Sequence, residues 1–169
     1  MHVDLISPPQ HDSIVDLLCE LHAYYNPGSA VERAMVRPYL LQDLLAEGSG
    51  LRLVVASDDG ADVLGFAAIL LTYSLVEHAP DRRRQCWLKE LYVRDGHRSR
   101  GVGEALMTWI ARHAVDNGCS RLDWPVKVSN TRGIALYERL GAALVHDRLS
   151  YRLDADAMRK LARRTVTGT

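Results

Sequence analysis

The stretch Arg98-Ser99-Arg100-Gly101-Val102-Gly103 follows an apolar, strand-like run, Trp87 to Val93, and opens a long amphipathic segment. A strand, a short turn rich in glycine and arginine, and the start of a helix together form a binding site for a pyrophosphate. The glycines let backbone N–H groups approach the anion closely, and the helix N-terminus adds partial positive charge. The arginines add full charges. The stretch therefore predicts an anion cradle, and its ligand determines what the protein does.

Length and composition predict one domain over residues 1–169. The order of elements described below gives it a core over 2–153 and a C-terminal helix at about 154–164. The chain has 169 residues, a usual length for one domain, and its hydrophobic content of 47% supports a buried core. The formal net charge is zero, with 21 acidic and 21 basic residues. This balance disfavours a nucleic-acid partner, which usually requires a basic protein.

The sequence contains no apolar run near the roughly 18 residues that cross a bilayer, so we expect no membrane partner. Residues Met1 to Asp4 lack the charged and apolar regions of a secretory signal. The three cysteines lack C-x-x-C spacing, which favours reduced thiols in a cytoplasmic protein. Cys19 and His22 are three residues apart without further ligands, so we expect no metal site.

Apolar periodicity and turn residues predict the element order β-α-α-β-β-β-α-β-α-β-α. The predicted strands cover residues 2–6, 51–56, 63–73, 86–93, 121–128 and 143–153. The predicted helices cover residues 12–25, 30–46, 101–117, 130–140 and 155–164. An antiparallel meander followed by a β-α-β crossover is typical of an α/β (α+β) domain with a mixed sheet.

Particular residues mark the expected ends and irregularities of these elements. Asp12 or Ser13 is a candidate N-cap for the first helix, and Pro38 is expected to kink or divide the second. Gly65 is a candidate bulge position, and Ser57 to Gly60 reads as a hairpin turn. Residues 165–169 are expected to fray.

Three interpretations of the glycine turn compete. A Walker A loop fails because no Lys-Ser or Lys-Thr pair follows Gly103. A dinucleotide fingerprint is disfavoured because Leu106 stands where a third glycine is required, and because the unit lies late in the chain. The third interpretation is an ordinary tight turn with incidental arginines. Residues further along the chain argue against this last reading.

Asn130 lies 27 residues after Gly103 and opens the next predicted helix, and Tyr137 follows seven residues later within Ala135 to Gly141. The combination resembles the GNAT superfamily of acetyl-CoA-dependent N-acetyltransferases. Its first part matches the signature [RQ]-x-x-G-x-[GA], and its second part is similar to the segment N-x-x-A-x-x-x-Y-x-x-x-G. The resemblance in element order extends over nearly the whole chain, from about residue 2 to 153.

The resemblance implies a mostly antiparallel sheet, flanked by helices, in which strands 86–93 and 121–128 splay apart in a V. Acetyl-CoA, the acetyl donor, is expected to lie in that gap. The backbone of the first strand would pair with the pantetheine arm, the turn would bind the pyrophosphate, and a later asparagine would contact the arm. These expected cofactor-binding residues are Leu91, Tyr92, Val93, Arg98, Ser99, Arg100, Gly101, Val102, Gly103, Glu104 and Asn130.

The resemblance also implies direct transfer, in which a neutral amine attacks the thioester and the thiolate of CoA leaves. Tyr137 matches the tyrosine that donates a proton to the departing sulfur, a role that suits a phenol because it is neutral at pH 7. The alternative is a tyrosine that only packs on the cofactor or the core.

The base is expected to be a strand carboxylate, and Glu90 is the candidate. In a regular strand only one of Lys89 and Glu90 can face a given side of the sheet. In the diamine acetyltransferase branch, which Trp87 to Val93 somewhat resembles, the base-bearing position corresponds to Lys89, where this chain has no carboxylate. Lys89, His78 and water are the other candidates for the amine proton, and in that case Glu90 is a structural or substrate-binding carboxylate.

We expect the acceptor to be a primary amine, with a small polyamine or amino-acid-like amine favoured over a protein lysine or N-terminus. Arg121 to Val126 also resembles the polyamine branch, but Val128-Ser129-Asn130 replaces its D-W-N triplet. Tyr24 and Tyr25 are candidate walls of the acceptor site. The rival function is a non-catalytic acyl-CoA-binding or regulatory domain. The resemblance further implies a homodimer, with contacts through the final strand and the C-terminal helix.

Overall fold

Three apolar runs between Leu51 and Val93 form the centre of the sheet, as their strand-like patterns predict. The computed structural model describes residues 1–58 and 61–164, and there it contains one sheet in the order β1-β2-β3-β4-β5. Its strands are β1 (His2–Leu5), β2 (Leu51–Ser57), β3 (Val63–Tyr73), β4 (Arg84–Val93) and β5 (Cys119–Asp123). Neighbours from β1 to β4 pair antiparallel, whereas β4 and β5 pair parallel.

Helices cover both faces of this sheet. They are α1 (His11–Tyr25), α2 (Arg33–Tyr39), α3 (Val102–Asp116), α4 (Thr131–Arg139) and α5 (Ala155–Ala162). One core contains Leu106 and Ile110 of α3, and the other contains Ile14 and Leu17 of α1 with Phe66 of β3. The mixed α/β architecture is therefore confirmed. Within the described residues no helix is both long and apolar enough to traverse a bilayer.

The predicted N-cap of the first helix is wrong. A 3-10 turn, Pro8–Gln10, leads straight into α1, so neither Asp12 nor Ser13 stands at the helix boundary. The Ser13 hydroxyl is buried and accepts a hydrogen bond from the Val63 N–H at 2.8 Å. Asp12 instead pairs with arginine side chains of α2. Both candidate caps therefore connect α1 to other elements.

The second predicted helix, residues 30–46, is shorter than expected. The α-helical part covers Arg33–Tyr39 and continues as a π-helical turn, Leu40–Leu44. Pro38 has no N–H to donate and crowds the preceding turn, so the hydrogen-bond ladder changes beside it. The predicted helix is thus divided, although Pro38 itself lies inside α2 and the wider turn begins two residues after it.

The β4 strand contains a bulge that alternation of residue types did not reveal. Ala68 of β3 pairs with Glu90, and the next residue, Ile69, pairs with Leu88, so Lys89 is an extra residue. A bulge reverses which face later side chains occupy. The sequence predicts a separate bulge at Gly65 of β3. The structure has it one residue earlier, between Val63 and Gly65, where β3 pairs with β2.

The reversal at Lys89 directs Glu90 toward α1. Before the bulge, Leu88 packs in the core under α3, and after it Leu91 packs against the same core. Glu90 and Tyr92 therefore face the other side, where Tyr92 joins the core of α1 and α2. Without the bulge, Glu90 would share a face with Leu88.

The predicted strand 121–128 ends early. Pairing between β4 and β5 stops at Trp87 and Asp123, and residues 124–128 leave the sheet. Pro125 cannot donate a ladder hydrogen bond, which accounts for the end of β5 before it. The remaining length of β4 has no strand on this side, and the two chains diverge to leave a gap.

The predicted strand 143–153 is not formed. These residues pair with no strand of the described chain, and the side chains of Leu144, Leu149 and Tyr151 are 72%, 82% and 88% exposed. Strand-like alternation produces a strand only where a sheet edge pairs with it. The expected turn at Asp59-Gly60 and the expected fraying of residues 165–169 lie outside the described residues.

Candidate functional site

One groove of about 1120 Å³ runs along the open side of β4. Its walls come from the end of α1, from the second half of β4, from the turn before α3, from residues 124–127 and from α4. We call the part around Arg98–Glu104 and Leu91–Val93 the cradle end. The part around Tyr25, Glu90 and Lys127 is the carboxylate end. The gap between β4 and β5 thus connects a turn built for anions to a cluster of ionisable side chains.

The turn at the cradle end has the backbone shape that glycine permits. Gly101 is the N-cap of α3 with φ of 81°, and Ser99 also has a positive φ, 59°. The six N–H groups from Ser99 to Glu104 donate to no carbonyl in the part of the chain that the structure describes. Successive free N–H groups at the start of a 15-residue helix form a site for an anion.

Gly103 lies where the start of α3 meets α4. A Cβ atom at this position would approach Leu136 Cδ2 to 3.1 Å and Leu91 Cδ2 to 3.9 Å. The absence of a side chain therefore lets α3 and α4 come close and keeps the base of the cradle open. The second glycine of the motif is required for packing, whereas Gly101 is required for its positive φ.

The two arginines of the motif differ in their contacts. Arg98 is half-buried, donates from Nε to the Val93 carbonyl at 3.0 Å, and pairs with Asp95 at 2.7 Å. Its guanidinium also lies over the Tyr92 ring, 5.6 Å from the centroid. Arg98 therefore holds the turn onto the end of β4. Arg100 is exposed and forms no ion pair with another described residue, so its charge faces the solvent.

The backbone of β4 beside the cradle is paired on one side only. Leu91, Tyr92 and Val93 pair with β3, while β5 accompanies β4 no further than Trp87. The edge of Leu91–Val93 that lines the groove therefore has no partner strand, and the Val93 carbonyl accepts a hydrogen bond from Arg98. A strand edge without a partner can pair with an extended ligand.

At the carboxylate end, Tyr25 holds Glu90. The Tyr25 hydroxyl lies 3.2 Å from Glu90 Oε1 and 3.1 Å from Oε2, and donates to the carboxylate. Burial raises the pKa of Glu90 above its ordinary value, while the bond from Tyr25 opposes that rise. Burial and the neighbouring carboxylate raise the pKa of Tyr25 to about 12. The phenol is therefore neutral, and Glu90 is a carboxylate with increased basicity.

Tyr137 on α4 lines the same groove as Glu90. Its ring packs edge-to-face on Trp124, with 5.0 Å between the centroids. Burial, and then the charge of Glu90, raise the pKa of Tyr137, so the hydroxyl is protonated near neutral pH. A carboxylate with a raised pKa and a neutral phenol thus face one cavity.

The other residues singled out from the sequence are placed as follows. Asn130 caps α4 by accepting the Gly133 N–H at 3.0 Å, and it also lines the groove. Lys89 and Tyr24 line the groove as well, whereas His78 is exposed and does not belong to its lining. The structure thus brings most of the motif residues to the groove, places Val102 in the core under α3 instead, and separates His78 from them.

Sequence reasoning missed Lys127. Its ammonium lies over the Tyr25 ring, 4.4 Å from the centroid, and connects the loop after β5 to the end of α1. No motif includes this position, and the loop was expected to be strand. Its only sequence signal is position, three residues before Asn130.

Comparisons with known proteins agree on one family. The Acetyltransferase (GNAT) family model matches residues 14–142. The chain is 31% identical over 106 residues to the thialysine N-ε-acetyltransferase of Bos taurus, covering 61% of this chain and 59% of that protein. It is 31% identical over 75 residues to the L-ornithine N5-acetyltransferase of Arabidopsis thaliana, covering 44% of this chain and 33% of that protein. The match thus spans three fifths or less of the length of these relatives.

Solved structures share the complete architecture. An integron cassette protein from the mobile metagenome of V. cholerae superposes with a TM-score of 0.83 at 28% identity, covering 97% of this chain and 99% of that one. The ribosomal-protein-alanine N-acetyltransferase of Brucella melitensis gives a TM-score of 0.70 at 22% identity, covering 91% of this chain and 99% of that one. At that identity the second likeness concerns the fold alone.

Proposed function

The chain belongs to the acetyltransferase (GNAT) family, and on that premise we propose that it transfers an acetyl group from acetyl-CoA to a primary amine. The observation that carries this proposal is the single groove that joins free backbone N–H groups at one end to Glu90 and Tyr137 at the other. An anion cradle, an acid and a base in one cavity are the parts that acyl transfer to an amine requires.

The cradle end suits the pyrophosphate and pantetheine of acetyl-CoA. N–H groups from Ser99 to Glu104 have no carbonyl acceptor among the described residues, and Gly103 lets α4 pack closely behind this turn. The open edge of Leu91–Val93 would pair with the amide groups of the pantetheine arm. Asn130, already a helix cap, would contact the same arm. When bound, acetyl-CoA supplies an acetyl thioester as the electrophile.

Glu90 is the proposed base. An amine must be neutral to attack a carbonyl carbon, and a carboxylate of raised pKa accepts its proton more readily than an ordinary one. Tyr25 holds this carboxylate through both oxygens, and Glu90 lines the groove that the substrate would enter. Whether the proton travels directly or through a water, its destination in this proposal is a Glu90 oxygen.

Tyr137 is the proposed acid, which protonates the sulfur of the departing CoA. Its raised pKa keeps the hydroxyl protonated at neutral pH, and its packing on Trp124 fixes the direction of the ring. Acid and base therefore belong to different elements, α4 and β4, on the two sides of the gap. The substrates would lie between them.

A small-molecule amine is the favoured acceptor. Two curated relatives are named for acetylation of thialysine and of ornithine, which are small amines. A protein lysine or N-terminus is the second class of acceptor that the test must include.

The test is release of CoA from acetyl-CoA by the purified chain, measured across a panel of small amines and lysine peptides. We expect turnover with at least one small amine and weaker turnover with peptides. CoA binding by calorimetry without turnover on any amine would overturn the catalytic proposal and favour a non-catalytic acyl-CoA-binding domain. Faster turnover with peptides than with small amines would reassign the acceptor.

We also propose that the chain forms a homodimer through residues 143–153 and α5. Leu149 and Tyr151 are largely exposed, as are Met158 and Leu161 of α5 at 52% and 48%. An exposed apolar surface of this kind is typical of an interface. Sedimentation velocity should give a dimer for the natural chain and a monomer for Leu149→Arg, and a monomeric natural chain would contradict the proposal.

A further inference from the structure

Lysines are rare in this chain, and their placement is uneven. The sequence contains three, Lys89, Lys127 and Lys160, and its other basic side chains are arginines and histidines. Lys89 and Lys127 both line the carboxylate end of the groove, whereas Lys160 lies on α5. Two compact ammonium groups therefore stand near Glu90, where an acceptor amine must arrive.

Lys127 lines the groove and contacts Tyr25, the residue that holds the proposed base. Its Nζ lies 4.4 Å from the centroid of the Tyr25 ring, and the hydroxyl of that ring is bonded to both oxygens of Glu90. Lys127 forms no ion pair with a carboxylate among residues 1–58 and 61–164, and its side chain is exposed. The charge of Lys127 already acts on Glu90, whose pKa it lowers, and the exposed ammonium remains accessible to an anionic group that enters beside Glu90.

The other carboxylates of the groove are already engaged. Asp95 pairs with Arg98 at 2.7 Å, and Glu104 lies 3.6 Å from Arg139. Within the described lining, Glu90 is the remaining acidic side chain, and it takes the amine. A polyamine would therefore bring its second ammonium toward two lysines without a second carboxylate to receive it.

We propose that the acceptor is an amine that also carries a carboxylate, as an amino acid does, and that Lys127 binds this carboxylate while the reacting amine points to Glu90. The inference rests on the proposed acetyl transfer and adds the chemical class of the acceptor. Lys89, beside Glu90 on the β4 bulge, strengthens the positive field at the same end.

Matched pairs of acceptors test this inference, because decarboxylation changes one group and keeps the amine. The pairs are ornithine with putrescine and lysine with cadaverine, each measured as kcat/KM with saturating acetyl-CoA. We expect the natural chain to prefer each amino acid over its diamine by about tenfold or more, the usual range for one charge-assisted contact. The preference should arise mainly in KM, because the carboxylate is remote from the reacting nitrogen.

Lys127→Met should reduce the preference for the amino acids to near unity, and Lys127→Arg should retain most of it. Lys160→Met is the matched control and should leave the ratio unchanged. Preference of the natural chain for the diamines, or an unchanged ratio in Lys127→Met, would overturn this inference while leaving acetyl transfer intact. CoA binding without acetylation of either member of any pair would overturn both the inference and the proposed function.

Discussion

The cradle end and the carboxylate end of the groove are built from different parts of the polypeptide. The cradle consists of backbone, namely the N–H groups that begin α3 and the open edge of Leu91–Val93. The carboxylate end consists of side chains from three separate segments, with Tyr25, Glu90 and Lys127 as its members. Backbone geometry depends on a few glycines within one short stretch. Side-chain geometry depends on how distant elements pack.

This difference separates two requirements of the proposed reaction. A backbone cradle suits a substrate that never changes, since its shape tolerates substitution at most side chains around it. A side-chain cluster suits selection of the acceptor, since one substitution alters its charge. Changes at the glycines of the cradle should therefore remove the donor, whereas changes at the carboxylate end should adjust rate, pH dependence or acceptor.

Gly103→Asp should have the largest effect. A Cβ here meets Leu136 at 3.1 Å, and because Gly103 lines the groove the new carboxylate would add negative charge beside the proposed pyrophosphate site. Displacement of the turn and repulsion between the new carboxylate and the pyrophosphate predict at least about 100-fold weaker CoA binding, since 1.4 kcal/mol is a factor of ten. The overpacking itself lowers the stability of the fold by about 1–3 kcal/mol. Isothermal titration with CoA measures the change, and circular dichroism checks that the variant is folded.

Two further glycine variants separate charge from packing. Gly103→Ala adds the Cβ without the charge, and should weaken CoA binding less than Gly103→Asp. Gly96→Asp adds the same charge in the preceding turn, where a Cβ meets nothing within 4 Å, and should leave most of the affinity. Equal affinity of Gly103→Asp and the natural chain would show that the anion does not bind at this turn.

Tyr137→Phe should have an intermediate effect, on rate rather than affinity. Removing the proton donor to the leaving sulfur should lower kcat by about 100-fold, the lower part of the usual range for acid–base catalysis. CoA affinity should change little, because the Tyr137 hydroxyl takes no part in the cradle. Stopped-flow or steady-state release of CoA measures kcat. Tyr151→Phe, at a position 88% exposed, is the matched control, and an unchanged rate for Tyr137→Phe would remove the acid assignment.

The sequence predicts the backbone features of the molecule better than the side-chain cluster at the carboxylate end. The limits of β3 are those predicted, and Asn130 caps α4 through the Gly133 N–H as expected. The turn Arg98–Gly103 precedes α3 where the motif indicates. These features depend on residues close in sequence, so local chemistry determines them.

The failures concern features that depend on partners distant in sequence. Residues 143–153 alternate like a strand but find no sheet edge in the described chain, and β5 ends at Asp123 because Pro125 interrupts pairing. The bulge at Lys89 is set by the register of β3 against β4, which alternation alone does not reveal. The contact of Glu90 with Tyr25, and the position of Lys127, follow from that register and from the end of β5.

Tyr25→Phe should have the smallest effect and the most specific one. Burial raises the pKa of Glu90, and the hydrogen bond from the Tyr25 hydroxyl lowers it by stabilising the ionised form. Removal of that hydroxyl should therefore raise the pKa of Glu90 further. A base acts only when ionised, so the acid limb of the kcat/KM profile should move to higher pH, while the plateau changes by less than about tenfold.

Tyr24→Phe provides the control that makes the Tyr25→Phe shift interpretable. Tyr24 is the neighbouring tyrosine and also lines the groove, but its hydroxyl forms no hydrogen bond to Glu90. The kcat/KM profile of Tyr24→Phe against pH should therefore coincide with that of the natural chain. An acid limb that stays in place in Tyr25→Phe, or moves to lower pH, would mean that the titrating base is a group other than Glu90. If the acid limb moved equally in both variants, the effect would come from the aromatic wall of the groove. The two substitutions share only the loss of a tyrosine hydroxyl from that wall.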